Sequence, residues 1–294
     1  MTTKFVEDLV ARVRQVEQLD THDPCPATLF HFTDAAGLAG LLSERALWVS
    51  RAQSLNNASE VSYGLQLARK HLSEPATGMA GAFLKRVLAC LEGDAGRQDW
   101  NVTIEPFVAA FCRLTDQALQ WLHYGSSGTG FAIGFRSSSL SSPQFVLRRV
   151  IYEVDRQRRL VVTATETFRS RLGPAASQRQ IEAAAVACAA SLRALAGRMM
   201  DPCFEAEQEW RLTTSSMNGT HVAADPDGLP QPKTRFRCVR GRIVPYVVRQ
   251  FEALPICEAV IGFSAPDSDD DIRGVLHRAG CGDAIVRRSS IPVR

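Results

Sequence analysis

The sequence predicts a single domain of the α+β class, because it contains both strand and helical patterns and has no internal repeat. Strand patterns are concentrated in residues 108–154 and 235–288. The longest helical pattern, 178–199, is rich in alanine and lies between these two blocks. A chain of 294 residues, of which 45% are hydrophobic, is long enough to bury one large core. We therefore expect residues 1–294 to form one β-core elaborated by helices.

The individual elements are predicted from hydrophobic periodicity and from residues that begin or end helices. Helices are expected at about 3–19, 35–43, 57–71, 79–92, 178–199 and 268–277. Strands are expected at about 29–33, 46–50, 108–112, 130–135, 147–154, 235–240, 243–248, 259–263 and 284–288. Residues of about 1–27 form an N-terminal helix and linker, since Pro24 and Pro26 end the helix before the first strand. The helical insertion at about 165–200 is a candidate lid.

Composition limits the compartment and the classes of partner. The net charge of +3 is too small to indicate nucleic-acid binding by itself. No run of about twenty apolar residues is present, so we expect no membrane span, and the N-terminus lacks a signal-peptide pattern. The eight cysteines form no Cys-x-x-Cys pair and no zinc-ligand spacing, which argues against a metal site and a disulfide framework. These features predict a cytoplasmic protein; they do not give the oligomeric state.

An acidic run, Phe204 to Arg211, is the most informative stretch of the chain. As a strand it would place Glu205, Glu207, Glu209 and Arg211 on one face. Three carboxylates on one face repel each other unless water, a cation or a ligand compensates their charge. The alternatives are a solvated edge strand or the start of a helix, with the arginine screening the acids.

A second polar stretch follows the predicted first strand, which carries His31 and Thr33 on the same face. The next helix is expected to begin at Thr33 or Asp34, both of which are N-capping residue types. A polar cluster then follows the second strand. Its members are Ser50, Arg51, Asn56, Asn57 and Glu60. Together these groups favour a site over a lone structural histidine.

These pieces resemble, in a fixed order, the bacterial domain-of-unknown-function family 2971. The pieces are LFHFT (29–33), LWVS (47–50), LNNASE (55–60), WLHYG (121–125), GFAIGF (130–135) and EQEWR (207–211). The resemblance extends from about residue 28 to the end of the chain. The Asn-Asp pair that is usual in the family is Asn56-Asn57 here, which weakens a metal or acid role at that position.

The order of parts also resembles the His-Tyr-Glu form of the ADP-ribosyltransferase superfamily. That resemblance implies an ADP-ribosyltransferase-like split β-core with helical insertions. It also implies NAD as the substrate and a macromolecular acceptor, either protein or nucleic acid. The expected activity is ADP-ribosyl transfer or NAD hydrolysis, in a bacterial toxin or antiphage defence effector.

The resemblance assigns roles to particular residues. Glu209, with Glu207 nearby, stabilises the cationic ribose that forms when nicotinamide leaves. His31 binds the ribose, and Thr33 fixes the backbone beside it. The expected NAD-binding residues are completed by an aromatic ring for nicotinamide (Tyr124 or Phe131), an arginine for the pyrophosphate (Arg51 or Arg211) and Ser50.

Two other functions stay open from the sequence. One is a metal-dependent hydrolase or nuclease that uses Glu207 and Glu209, and the other is a non-catalytic domain that senses a nucleotide. A further basic stretch, 233–237, alternates basic and apolar residues and would present a basic strand face. That face is expected either to be solvated or to contact phosphates of NAD or a nucleic acid.

Overall fold

The computed structural model describes residues 3–19, 23–54, 58–74, 76–92, 103–218, 232–239 and 241–292. The α-helices within these ranges are α1 (Thr3–Glu17), α2 (Ala35–Glu44), α3 (Ala58–Leu72), α4 (Gly78–Glu92), α5 (Ala118–His123), α6 (Val154–Arg169), α7 (Gln178–Ala196) and α8 (Asp269–Arg278). The strands are β1 (Thr28–Thr33), β2 (Ala46–Arg51), β3 (Thr103–Cys112), β4 (Phe131–Arg136), β5 (Val146–Arg149), β6 (Glu209–Asn218), β7 (Arg235–Val239), β8 (Arg242–Gln250), β9 (Ile256–Ile261) and β10 (Ile285–Arg288).

Most predicted elements are confirmed within a few residues, and the clearest error concerns α6. The strand predicted at 147–154 ends at Arg149, and a helix begins at Val154. The sequence of α6 has helical periodicity, because its buried apolar residues lie on one side of the helix. These residues are Leu160, Val161, Ala164 and Phe168. The predicted insertion at 165–200 therefore contains the end of α6 as well as α7.

The strands form one open, mixed sheet of ten strands. Its main path runs β10-β9-β4-β1-β3-β2-β8-β7, and β6 and β5 continue from the other edge of β3. The β9–β10 pair is parallel, whereas the other pairs are antiparallel. This architecture confirms a mixed α and β chain built on a single sheet.

Strand β3 is the branch point of the sheet. Its partner on one edge is β6, which pairs with it along ten residues from Thr103 to Cys112. The opposite edge is shared by β1, which pairs at Cys112, and β2, which pairs at Val108 and Phe107. Because β1 and β2 both approach this edge and then diverge, a cleft opens between them.

Two apolar cores flank this arrangement. One lies on the sheet and contains residues such as Phe111, Ile133 and Leu212. The other lies among α1, α3, α4, α6 and α7, which we call the helical cluster. Helix α7 is at its centre and contacts the other four helices. Its role as a lid and the single-domain organisation stay predictions.

Within the described residues, none of the helices has the length and apolarity needed to cross a bilayer.

Candidate active site

A cavity of about 250 Å³ occupies the cleft between β1 and β2. Strands β1, β2, β3, β6, β7 and β8 all contribute to its walls. The predicted site residues that line it are His31, Thr33, Ser50, Tyr124, Glu209 and Arg211. The sheet thus brings together side chains that are far apart in the sequence.

Between the β1 and β2 ladders, a side chain and not a strand bonds the edge of β3. The β1 and β2 ladders leave β3 at the pairs Phe30–Cys112 and Ser50–Val108. Between these pairs, the imidazole of His31 bonds the carbonyl oxygen of Ala110, with an Nδ1–O distance of 2.8 Å. A carbonyl oxygen can only accept, so Nδ1 carries the proton of this hydrogen bond.

His31 is held in its neutral form. Burial lowers the pKa of His31 from its ordinary value of 6.5. The hydrogen bond to the carbonyl of Ala110 raises this pKa in part, and the positive charge of Arg237 lowers it further. In a neutral imidazole with Nδ1 protonated, Nε2 is an acceptor. His31 can therefore accept a hydrogen bond from a ligand hydroxyl in this cavity.

Thr33 and the start of α2 form one end of the cavity. Asp34 caps the helix, as predicted, by accepting a hydrogen bond of 2.7 Å from the backbone N–H of Gly37. A Cβ atom on Gly37 would lie only 2.0 Å from the hydroxyl oxygen of Thr33. Glycine at this position therefore leaves room for Thr33 beside the helix.

Glu209 and Arg211 form a buried ion pair on β6. The carboxylate oxygens of Glu209 accept from Nε and Nη2 of Arg211, each at 2.9 Å. Arg211 also donates from Nη1 to the carbonyl oxygen of Gly197 at 2.7 Å. The backbone N–H of Glu209 donates to the hydroxyl of Tyr152 at 3.1 Å. These contacts fix the carboxylate in the cavity wall, with Arg211 holding both of its oxygens.

The prediction that Glu205, Glu207 and Glu209 share a strand face is wrong. Pro202–Glu207 forms a 3₁₀-helix capped by Asp201, and β6 begins only at Glu209. Gln208, with a φ of 44°, makes the transition between helix and strand. Glu207 therefore precedes the strand, and its carbonyl oxygen accepts a hydrogen bond from the thiol of Cys112.

Of three further predicted site residues, one lines the cavity and two do not. Tyr124 lines the cavity at the C-terminal end of α5 and is 36% exposed, which leaves its ring accessible to a ligand. Phe131 is buried in the sheet core and does not line the cavity. Arg51 follows Ser50 at the end of β2 and is also absent from the lining. The Asn56-Asn57 pair lies outside the described residues.

Arg237 on β7 is a cavity residue that the sequence placed only in a basic strand face, expected either to be solvated or to contact phosphates. Its Nη2 donates to the hydroxyl of Ser50 at 2.7 Å. Its guanidinium carbon lies 5.1 Å from the centre of the Trp48 ring and 5.7 Å from that of Tyr246. The sequence feature that pointed to Arg237 was the alternation of basic and apolar residues at 233–237. The sequence did not decide whether this basic face is solvated or contacts phosphates.

A larger groove of about 800 Å³ lies on the other face of β6, where Trp210 points. It is lined by Asp23, Arg149 and Cys257 among others, and by none of the predicted site residues. In the part of the chain that the structure describes, no group of three histidine, cysteine, aspartate or glutamate residues is arranged to hold a metal ion.

Comparison with known proteins finds one family model that is similar to part of the chain. Residues 120–212 match the family model described as Protein of unknown function (DUF2971). The matched segment contains Tyr124 and Glu209, whereas His31 lies before it. No curated protein and no solved structure matches the chain. Residues 120–212 are thus similar to the family of unknown function DUF2971, in agreement with the resemblance that the motifs predicted.

Proposed function

We propose that this chain is an NAD-consuming enzyme that cleaves the nicotinamide–ribose bond and transfers ADP-ribose to a macromolecule or to water. The observation that carries the proposal is that His31 and Glu209, which are far apart in the sequence, line one cavity. The divergence of β1 and β2 along one edge of β3 also supports an ADP-ribosyltransferase-like split core. A role as a toxin or antiphage defence effector rests on the family resemblance alone.

The reaction needs a negatively charged group beside the ribose, and it does not need an acid to protonate the leaving nicotinamide. When the bond between ribose C1′ and the pyridinium nitrogen breaks, its electron pair leaves with nicotinamide, which becomes neutral. The ribose becomes cationic at C1′, as in glycoside hydrolysis. An acceptor oxygen or nitrogen then bonds C1′ and releases its proton. A fixed negative group beside the ribose lowers the energy of the cationic transition state.

Glu209 is suited to that role because its position is fixed. Two hydrogen bonds to Arg211 and one from its own N–H to Tyr152 hold the residue in the wall. Preorganised charges of this kind need little rearrangement during the reaction.

The other side of the cavity supplies ribose and ring contacts. Neutral His31 accepts from a ribose hydroxyl at Nε2 while Nδ1 stays bonded to Ala110. Tyr124 offers an aromatic face for nicotinamide. Ligand pockets typically enclose about 300–1,000 Å³, so this smaller cavity accommodates only part of the dinucleotide, and the remainder extends outside.

A non-catalytic nucleotide-binding domain is the second candidate, favoured by the Glu209–Arg211 pair. Because Arg211 already compensates the carboxylate, the pair also makes sense as a structural element of a binding site. The metal-dependent hydrolase is not favoured, since its two glutamates do not share a strand face.

The test is nicotinamide release from NAD by purified protein, with and without cell lysate. We expect Glu209→Gln to reduce the rate by about a hundredfold or more, because removal of one preorganised electrostatic group typically costs that much. Glu205→Gln is the matched control, since this exposed glutamate lies just before the strand and outside the cavity. Its rate should equal that of the wild type.

Folding must be separated from chemistry, because Glu209→Gln also disrupts a buried ion pair. Melting temperatures are measured in parallel, and His31→Gln provides a second active-site variant that leaves the pair intact. Loss of release in both variants, at unchanged melting temperature in at least one, supports the enzyme. NAD binding without release from the wild type supports the binding domain instead, and neither binding nor release rejects both.

A further inference from the structure

Arg237 has an arrangement that a purely structural arginine does not need. The rings of Trp48 and Tyr246 lie within 6 Å of its guanidinium carbon, and Ser50 accepts from its Nη2. Its Nε is buried and has no hydrogen-bond partner among the described residues. The guanidinium is thus held by its surroundings while part of its donor capacity is unused.

None of the described residues that line the cavity places a carboxylate beside the positive charge of Arg237. Glu209 is paired with Arg211, and His31 is neutral. Within the described residues, no carboxylate oxygen lies within the ion-pair distance of 4.0 Å from Arg237. Burial lowers the pKa of Arg237, and the negative charge of Asp34 only partly offsets this effect. An arginine that is desolvated without a partner attracts an anion.

We infer that Arg237, braced by Trp48, Tyr246 and Ser50, is an anion subsite that binds the diphosphate of a nucleotide ligand. The choice of a nucleotide rests on the proposed function, whereas the anion follows from the geometry of Arg237. A guanidinium presents its N–H groups in a planar fork that matches two phosphate oxygens. This inference replaces Arg51 and Arg211 as the expected pyrophosphate contacts.

The test compares ADP with adenosine by isothermal titration calorimetry on the full chain at fixed salt. The two ligands differ only in the diphosphate, so we expect adenosine to bind at least about tenfold more weakly. Arg237→Gln should weaken ADP binding by about ten- to a hundredfold and leave adenosine binding unchanged. Inorganic pyrophosphate should compete with ADP in the wild type and not in the variant.

Arg235→Gln is the matched control, because it removes the same charge from the same strand. Arg235 is exposed and pairs with Glu44 at 3.8 Å, outside the cavity lining. Arg237→Lys keeps the charge without the fork and should recover only part of the affinity. Melting temperatures identify any variant that fails to fold, and the wild-type comparison of ADP with adenosine does not depend on a variant.

The outcomes separate this inference from the proposed function. Equal affinity for ADP and adenosine, or unchanged ADP affinity in Arg237→Gln, overturns the anion subsite even if nicotinamide is released from NAD. ADP binding that depends on Arg237, without release of nicotinamide, supports the subsite and rejects the enzyme.

Discussion

The helical cluster and the cleft between β1 and β2 are both buried, but they are built from opposite kinds of side chain. The helical cluster is filled by apolar groups such as Phe83, Cys188 and Leu192. The cleft instead buries Glu209 and Arg211, which are at most 8% exposed. A buried ion pair contributes little net stability, because desolvation offsets most of the Coulomb attraction. The contrast supports the proposal that the cleft binds a ligand, while the helical cluster stabilises the fold.

The helical cluster shows how small residues permit close packing. A Cβ atom on Gly64 of α3 would lie 2.7 Å from the Cα atom of Ala196 in α7. On α7 itself, Ala184, Ala185 and Ala189 are buried against the neighbouring helices. Such packing maximises dispersion contacts and leaves little free volume. We therefore expect substitutions in this region to change stability and not ligand affinity.

The largest expected effect on stability is that of Arg211→Gln in the cleft. It leaves the carboxylate of Glu209 buried without its bidentate partner, which should reduce the free energy of unfolding by about 3–5 kcal/mol. Urea denaturation of the single variants and of Glu209→Gln/Arg211→Gln measures the coupling. The double variant should be less destabilised than the sum of the single variants. Simple additivity would mean that the pair contributes no interaction energy.

The next effect belongs to the helical cluster. Leu192→Ala removes a side chain that is 1% exposed, and such changes cost about 2–5 kcal/mol. At temperatures where the variant remains folded, its affinity for ADP should equal that of the wild type. Leu122→Ala, at an exposed leucine of α5, is the control and should change stability little. A loss of ADP affinity in Leu192→Ala would show that the two regions are not independent.

A smaller effect is expected for Tyr152→Phe, which removes the acceptor for the N–H of Glu209. A buried donor without a partner costs about 1–3 kcal/mol. If Tyr152 also positions the carboxylate, nicotinamide release should fall while KM for NAD stays constant. A loss of stability with an unchanged rate would limit Tyr152 to a structural role.

The smallest effect is the pH dependence that arises from His31. Its pKa is lower in the folded chain than the ordinary value of 6.5, so the unfolded chain binds the proton more readily. The stability contributed by neutral His31 is therefore complete above about pH 6.5 and is lost progressively as the pH falls toward the folded pKa. Unfolding free energies from pH 7.5 to 5 should decrease more steeply for the wild type than for His31→Gln. Parallel curves would contradict this assignment.

Local features of the sequence predicted β1, α2 and β2 well, because each is encoded by adjacent residues. Asp34 has the side chain that caps α2, and the alternation in Ala46–Arg51 continues as a strand. The position of Glu207 was mispredicted because Asp201 and Pro202 favour a 3₁₀ turn that overrides the alternation of the acidic run.

The composition of the cavity could only partly be predicted, since it depends on strand pairing between distant segments. His31 and Glu209 were found from short motifs, whereas Arg237 acquires its meaning only when β7 and β8 place it beside Trp48 and Tyr246. Phe131 fits the same aromatic pattern as Tyr124, and only the fold shows that its ring is in the core. Sequence motifs thus identify candidate site residues, and the pairing of the strands decides which of these residues line the same cavity.

The hydrogen bond between His31 and Ala110 lies in the gap that separates the β1 and β2 ladders on β3. Two ladders advance toward each other along one edge of β3, and either could continue only by pairing with the stretch Ala109–Phe111. The imidazole occupies the carbonyl in the middle of that stretch. The cavity therefore lies at a break in strand pairing, and the imidazole of His31 takes the place of a neighbouring strand there.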